Sequence, residues 1–324
     1  MNIVIVGCGR MGQGIALTYA LAGYSIHLLD AKTREHKEFL ELLHQTQNNL
    51  NETLNILYRI KLIKKKHIKI IFKKISILKY SEFYKNLNSA NVIFECVPEK
   101  LKIKKNILQL LGNATNKKTI ISSTTSTILS NELSQFVKFP ERFLNAHWLN
   151  PPYLMPLIEV SPAKETNIKN INKIFRLFKS IGKIPIKCNP SPGYIVPRIQ
   201  TLAMNEAARI HQEEIASSED IDKSVIYGFG LRFAVLGLLE FIDWGGADTL
   251  NNASNYMTKS MKNKRFAAPK IIKKHVEKNN LGISTKSGFV EWKKINIKNY
   301  QEEKLHKFMQ MTKLLGIKPK IKII

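Results

Sequence analysis

The chain has 324 residues, 44% hydrophobic and 23% charged, which is enough for two globular domains with their own cores. Its net charge of +26 comes from Lys spread along the chain among Ile and Asn, without a recognisable nucleic-acid module. It therefore reads as compositional drift rather than nucleic-acid binding, although positive potential around a cleft would still attract anionic substrates. No apolar run reaches the ~20 residues of a membrane span, the nearest (residues 234–244) being broken by Glu240 and Asp243.

In chain order, Ile3-Val4-Ile5-Val6 reads as a buried parallel strand. Gly7-Cys8-Gly9-Arg10-Met11-Gly12 follows, a G-x-G-x-x-G, and then apolar residues at helical spacing as far as Leu21. Gly23 stops that helix, and a second short apolar run, residues 26–29, ends on Asp30. Strand, glycine loop, helix, strand and acid form the dinucleotide-binding fingerprint in its required context. Gly7 permits the tight turn, Gly9 lets the backbone approach a pyrophosphate, and Gly12 lets the helix pack on the strand. The loop, Arg10 and Met11 included, is assigned to the cofactor, with its phosphates at the helix N-terminus. Asp30 lies where a carboxylate accepts from the ribose hydroxyls, which favours NAD over NADP. A 2′-phosphate ~4 Å away would be repelled by about 4 kcal/mol at an effective dielectric near 20, an effect that Lys32 and Arg34 would soften.

Thr33 is a candidate N-cap, with Glu35 and Glu38 in the first turn of a long helix whose apolar stripe runs from Phe39 to Leu57. A Lys-rich stretch follows, in which Lys64-Lys65-Lys66 is a solvated face or a grip on a phosphate-bearing substrate. Strands are predicted at 75–78, 91–94, 119–121, 143–147, 157–160 and 184–188, with helices at 99–111 and 167–181. Alternating strands and helices imply a largely parallel sheet covered on both faces. The connection through Asn150-Pro151-Pro152 is too short for a helix and predicts a hairpin-like return with an antiparallel edge. Asn189-Pro190-Ser191-Pro192-Gly193 reads as a linker between a domain of residues 1–188 and one of residues 189–324. Beyond it the pattern is helical: 195–214 with Pro197 in the first turn, a helix capped by Ser217 or Ser218, an apolar 233–244 that is buried within the domain or between subunits, then 269–277 and 300–315. The fold class is α/β, a Rossmann-like domain followed by an all-α C-terminal domain.

Three cysteines, Cys8, Cys96 and Cys188, share no metal-ligand spacing, so no metal is expected. The odd count, and a first strand that starts at the N-terminus without a leader, fit reduced thiols in a cytoplasm.

Beyond the glycine loop, several segments carry a resemblance: Phe94-Glu95-Cys96-Val97-Pro98-Glu99 with Lys104, Ser123-Thr124-Thr125-Ser126, and His147-Trp148-Leu149-Asn150-Pro151. Residues 155–160, Ser191-Pro192-Gly193-Tyr194-Ile195-Val196, Glu219-Asp220-Ile221-Asp222 and Gly282 with Ser287-Gly288-Phe289 extend it over nearly the whole chain. The sequence resembles the 3-hydroxyacyl-CoA dehydrogenase family. The residues themselves agree with that chemistry. Oxidising a secondary alcohol requires a hydride acceptor, which NAD supplies, and a base, for which histidine is suited. His147 ends one strand, and Glu159 lies twelve positions later on the return strand, where a hairpin brings them face to face. Alone, His147 would read as a hydrogen-bonded core histidine. Glu159, the Asn-Pro-Pro turn and the cofactor motif favour a base with an orienting acid.

The resemblance implies that this pair is the catalytic dyad. It implies also that Thr125 stands where a serine contacts substrate oxygen and nicotinamide, with Ser126 as the alternative and a helix cap before Ile128 as the non-catalytic reading. Asn150 matches a residue beside the nicotinamide, or is a turn residue before proline. Glu99 and Lys104 match cofactor contacts, or are an N-terminal acid and an exposed Lys on a helix. The departure from the family is Pro197, where an asparagine usually holds the substrate carbonyl; Asn205 is a candidate replacement. Residues 236–241 also replace a Gly-Pro-Phe type element, and residues 152–157 resemble sugar-acid and carnitine dehydrogenases of the same superfamily. The expected reaction joins an L-3-hydroxyacyl-CoA, short-chain and 3-hydroxybutyryl-CoA-like, to its 3-keto form. The alternatives are a free 3-hydroxy acid or an acyl chain on a carrier protein. A cleft at the carboxyl ends of the strands, between the domains, and a homodimer through the helical domain complete the expectation.

Overall fold

The computed structural model describes residues 1–82 and 87–317. The chain divides into two compact units, Met1–Ala203 and Met204–Ile324. That division falls within a helix, Val196–Gln212, downstream of the proline-rich segment 189–193.

The first unit is built on one eight-stranded sheet. Its strands are β1 (Ile3–Val6), β2 (Ile26–Leu29), β3 (Ile75–Leu78), β4 (Val92–Glu95), β5 (Ile120–Ser123), β6 (Phe143–Trp148), β7 (Leu157–Pro162) and β8 (Ile184–Lys187). They lie in the order β3-β2-β1-β4-β5-β6-β7-β8. The first six strands are mutually parallel, β7 runs antiparallel to β6, and β8 pairs parallel to β7. The chain therefore reverses at the Pro151-Pro152 turn as expected, but the reversed portion is two strands wide and β8, not β7, is the edge.

The helices of this unit are α1 (Arg10–Leu21), α2 (His36–Arg59), α3 (Lys65–Phe72), α4 (Leu101–Ala114), α5 (Ser130–Ser134), α6 (Ile168–Ser180) and α7 (Val196–Gln212), which continues into the second unit. Because side chains alternate along a strand, β1 serves two cores. Ile3 and Ile5 join Ile15, Leu17, Leu50, Leu54 and Phe178 on one face. Val4 and Val6 join Ile107, Leu108, Leu111 and Leu133 on the other. Helix α2 starts later than Thr33 suggested. Glu35 is its N-cap, and the Glu35 backbone N–H donates to the Glu38 carboxylate at 3.3 Å, one half of a capping box, which fixes the start.

The second unit contains α8 (Ser218–Ser224), α9 (Leu231–Phe233), α10 (Leu238–Gly245), α11 (Ala247–Ser260), α12 (Lys270–Glu277) and α13 (Ile297–Leu314), with a π-turn, Val225–Gly230, between α8 and α9. Among the described residues its one extended pairing is an isolated bridge between Gly282 and Ser287. The stretch 233–244 is not buried within the chain: only Leu236 and Asp243 are, while Leu238 and Leu239 are exposed, which leaves burial between subunits as the form of that expectation still open. Asp243 is buried because it is fully used. One carboxylate oxygen accepts from the Phe289 N–H at 3.0 Å, the other from the Val290 N–H at 2.8 Å and the Trp292 indole at 2.9 Å. Side chains have no room where this clamp closes. A Cβ on Gly282 would lie 2.1 Å from the Asp243 carbonyl oxygen, and one on Gly288 would lie 2.3 Å from the Asp243 carboxylate. This accounts for the glycines in the late motif.

No single described helix is long and apolar enough to cross a membrane. One pair bent by 87°, Ser218–Phe233 with Leu238–Gly245, passes by length and composition together.

Candidate active site

The carboxyl ends of β1, β4 and β5 carry the glycine loop, Glu95 and Ser123, so the crevice forms where strand order reverses between β1 and β4. Gly7 has φ +117°, and a Cβ there would stand 2.6 Å from the Cys96 carbonyl oxygen. A Cβ on Gly12 would stand 1.9 Å from the Gly7 carbonyl oxygen, so α1 sits directly on the loop. Gly9, by contrast, faces open space and caps α1, whose first turn has no acidic residue. A cavity of 490 Å³ opens there, bordered by Gly7, Gly9, Arg10, Met11, Asp30 and Glu99 among others. Open backbone at a helix N-terminus beside a cavity fits a pyrophosphate, and so these residues fit a dinucleotide. Cys8 and Cys96 border the same cavity, and burial pushes each thiol up to about 12, leaving both protonated at neutral pH.

Asp30 directly follows β2 and is almost fully buried. The Arg34 guanidinium donates to it at 2.6 Å through Nε, and the Lys32 backbone N–H at 3.2 Å. A carboxylate has about four acceptor positions, so room remains for ribose hydroxyls.

The wall opposite is a buried ionic cluster. Lys104, expected at the cofactor or exposed on its helix, is 1% exposed. Its ammonium lies 2.9 Å and 3.1 Å from the two Glu95 oxygens and 3.2 Å from Glu99. Glu95 also accepts from the Ser123 hydroxyl at 2.5 Å and the Val97 N–H at 2.8 Å. Burying a charge in this way demands such full pairing. Glu99 accepts from the Thr125 hydroxyl, from the Ser126 and Thr127 N–H groups at 3.1 Å each, and from the Thr127 hydroxyl at 2.9 Å. Burial raises the Glu99 carboxyl, but the bonds from Thr125 and Thr127 and the Lys104 charge outweigh it and hold the group below the ordinary carboxylate range.

His147 and Glu159 are direct partners in the β6–β7 register. Both point to one face of the ladder, and His147 Nδ1 lies 2.8 Å from Glu159 Oε2. The second oxygen, Oε1, accepts from the Ile195 and Val196 N–H groups at 2.9 Å and 2.8 Å. These are the free donors at the start of α7, where the helix dipole favours an anion. Gly193 and Tyr194, both with positive φ, turn the chain so that these two N–H groups point at the acid. Burial alone would raise the Glu159 carboxyl; the hydrogen bonds from His147, Val196 and Ile195 overcome it and hold the group below its usual range. The acid is thus an anion at neutral pH, and it fixes His147 with the proton on Nδ1, leaving Nε2 as the basic nitrogen.

The turn after His147 reaches the glycine-loop helix. A Cβ on Gly14 of α1 would meet Pro152 Cδ at 2.8 Å. Tyr194 links the dyad to the cavity wall from the other side. Its ring stacks on His147 with centroids 5.1 Å apart, its hydroxyl donates to the Thr125 carbonyl at 2.9 Å, and Asn145 Nδ2 donates to that hydroxyl at 3.0 Å.

The remaining expected residues divide. Ser126 lines the cofactor cavity. Thr125 is buried, with its hydroxyl on Glu99 and accepting from the Ile128 N–H at 3.0 Å, the helix-cap geometry. Asn150 is exposed and lines a neighbouring cavity of 470 Å³ rather than the one at the glycine loop, whereas Arg10 borders both. Pro197 sits in the first turn of α7 as expected. Tyr194, Asn145, Glu95 and Ser123 have no role assigned by sequence pattern alone. The signals that the sequence offers for them are an acid closing an otherwise apolar strand and a tyrosine directly after a linker glycine.

Comparison with known proteins is consistent with this geometry. Residues 2–191 match the model of the 3-hydroxyacyl-CoA dehydrogenase NAD binding domain, and residues 193–292 that of the 3-hydroxyacyl-CoA dehydrogenase C-terminal domain. The chain is 29% identical to a 3-hydroxybutyryl-CoA dehydrogenase of Clostridioides difficile, over 91% of this chain and 100% of that protein. It is 25% identical to a 5-formyl-3-hydroxy-2-methylpyridine 4-carboxylate 5-dehydrogenase of Mesorhizobium japonicum, over 97% and 98%. The solved 3-hydroxyacyl-CoA dehydrogenase of Archaeoglobus fulgidus shares the fold, with a TM-score of 0.76 at 24% identity over 98% of this chain and 100% of that one. With both domain models matched in sequence order, the chain belongs to the 3-hydroxyacyl-CoA dehydrogenase family of NAD-dependent oxidoreductases.

Proposed function

We propose that the protein interconverts a short-chain L-3-hydroxyacyl-CoA and the corresponding 3-ketoacyl-CoA. The observation that carries this reading is the 2.8 Å contact between His147 and an acid anchored on two backbone N–H groups, on a strand whose following turn packs against the glycine-loop helix. Bound NAD supplies the hydride acceptor. His147 Nε2 takes the hydroxyl proton as the carbinol C–H bond breaks and the carbonyl forms, and Glu159 stabilises the imidazolium. Of Thr125 and Ser126, Ser126 is the one that holds the reacting oxygen, because it lines the cofactor cavity while the Thr125 hydroxyl is used by Glu99 and the Ile128 N–H. The short chain is supported by the Clostridioides difficile relative, whose substrate is 3-hydroxybutyryl-CoA by name.

A second reading, a free 3-hydroxy acid or a carrier-bound chain, is favoured by Pro197, which offers no side-chain donor for a thioester carbonyl, and by the relative acting on a pyridine carboxylate. A panel of CoA thioesters, acyl-carrier thioesters and free hydroxy acids separates the two. We expect the 3-hydroxybutyryl-CoA kcat/KM to exceed that of any free acid at least tenfold, about 1.4 kcal/mol of transition-state binding. Turnover confined to free acids overturns the thioester reading.

We further propose a homodimer through the second unit. Met204, Ile215, Val225, Ile226, Phe229 and Leu239 are all exposed there, apolar side chains that a partner surface would cover. Sedimentation is expected to give twice the chain mass at micromolar concentration, and a monomer would contradict it.

A further inference from the structure

The adenosine end of the cofactor cavity is not built as an acid alone. Asp30, Lys32 and Arg34 line both the cofactor cavity and a second cavity of 290 Å³ directly behind them. Among the described residues Asp30 is the only acid on the wall of that second cavity, which also carries Lys79 and His36, with the Lys79 ammonium 3.2 Å from His36 Nδ1. The other acids of the neighbourhood are engaged by backbone. Glu35 and Glu38 cap α2, and Glu82 accepts from the Lys79 N–H at 3.0 Å.

On this wall Arg34 uses only Nε, at 2.6 Å from Asp30. Its two terminal nitrogens have no hydrogen-bond partner among the described residues, and the side chain is partly exposed, 26%, toward the cavities. An acid that selects against NADP does so by repelling a 2′-phosphate. Here a guanidinium of opposite charge lies in contact with that acid, so at the ribose rim its attraction acts over nearly the same distance as the repulsion. Lys32 then leaves the rim net positive. A guanidinium with two free N–H-bearing nitrogens is also suited to a phosphate, which it binds through paired charge-assisted hydrogen bonds.

We propose that the cofactor site accepts the 2′-phosphorylated dinucleotide NADP(H) as well as NAD(H), with Arg34 as the anchor of the 2′-phosphate and the basic second cavity receiving it. This rests on the reading that Asp30 marks the adenosine ribose. Asp30 retains acceptor positions for the hydroxyls of NAD, so the two cofactors are accommodated by one rim rather than by two sites.

The test is titration of the full-length protein with NADH and with NADPH, followed by nicotinamide fluorescence, in the wild type and in Arg34→Gln. In the wild type the dissociation constant for NADPH is expected within about tenfold of that for NADH. In Arg34→Gln the ratio of the two is expected to rise at least tenfold, because Asp30 then faces the phosphate uncompensated. A merely structural role for Arg34 would move both constants together and leave the ratio in place, which would overturn the proposal. So would a wild-type ratio above about tenfold. Failure of the wild type to bind either nucleotide would overturn the cofactor reading itself, a different result from binding of NADH alone.

Discussion

Replacing His147 by glutamine is expected to lower turnover by about 10²–10⁴-fold, the usual contribution of a positioned general base. Glutamine retains the size of the ring's inner half and a hydrogen-bonding group for Glu159, but has no basic nitrogen in place of Nε2. The loss should appear in kcat, because the proton moves only in the transition state. Binding of NADH should persist, since the glycine loop, Asp30 and the Lys104 cluster do not depend on His147 for any hydrogen bond. Steady-state kinetics and a parallel NADH titration check both statements.

Glu159→Gln is expected to cost about a hundredfold or more in kcat, by a tautomer argument. Glu159 is a two-sided acceptor: Oε1 takes two backbone N–H bonds and Oε2 faces His147 Nδ1. Glutamine has one acceptor oxygen. If it stays toward Ile195 and Val196, the amide NH₂ faces Nδ1 and forces the imidazole proton onto Nε2, which is then no longer a base. If the amide flips, two N–H groups at the start of α7 lose their acceptor, at about 1–3 kcal/mol for each buried group left unpaired. Either way the variant is impaired, and urea denaturation distinguishes the routes. The sign of the pH dependence follows from the lowered carboxyl. The stability that Glu159 contributes is present above the unfolded-state value of about 4.3 and is lost as pH falls through the folded one. The stability gap between wild type and variant should therefore narrow on acidification below about pH 4.3.

Much of this site was legible in the sequence because its geometry is local. The glycine loop is read from six consecutive residues whose backbone requirements are steric, and Gly7 and Gly12 meet them in contact with Cys96 and with each other. His147 and Glu159 are separated by one short turn, and once two prolines rule out a helix the pairing follows from strand periodicity. The parts that were not legible depend on partners far away in the chain. Lys104 looks like any helix lysine until β4 and β5 place Glu95 and Ser123 around it. Tyr194 gains its stacking role from β6, and Thr125 turns its hydroxyl to Glu99 across a gap of twenty-six residues. The stretch 233–244 is the opposite case. Its apolar composition suggests burial, yet within the chain a charged residue, Asp243, is held inside along with Leu236, because three donors from 289–292 converge on it. Hydrophobicity predicts where a residue would go alone, and a satisfied hydrogen-bond set can reverse that.

Proton removal by the His147 imidazole, oriented by Glu159, is tested by a single turnover, with enzyme in excess over 3-hydroxybutyryl-CoA and NAD saturating, followed at the NADH absorbance in the wild type and in His147→Gln. The dyad predicts a fast NADH-forming phase in the wild type that slows at least a hundredfold in the variant, with NADH affinity retained. Equal single-turnover rates in the two proteins would contradict it.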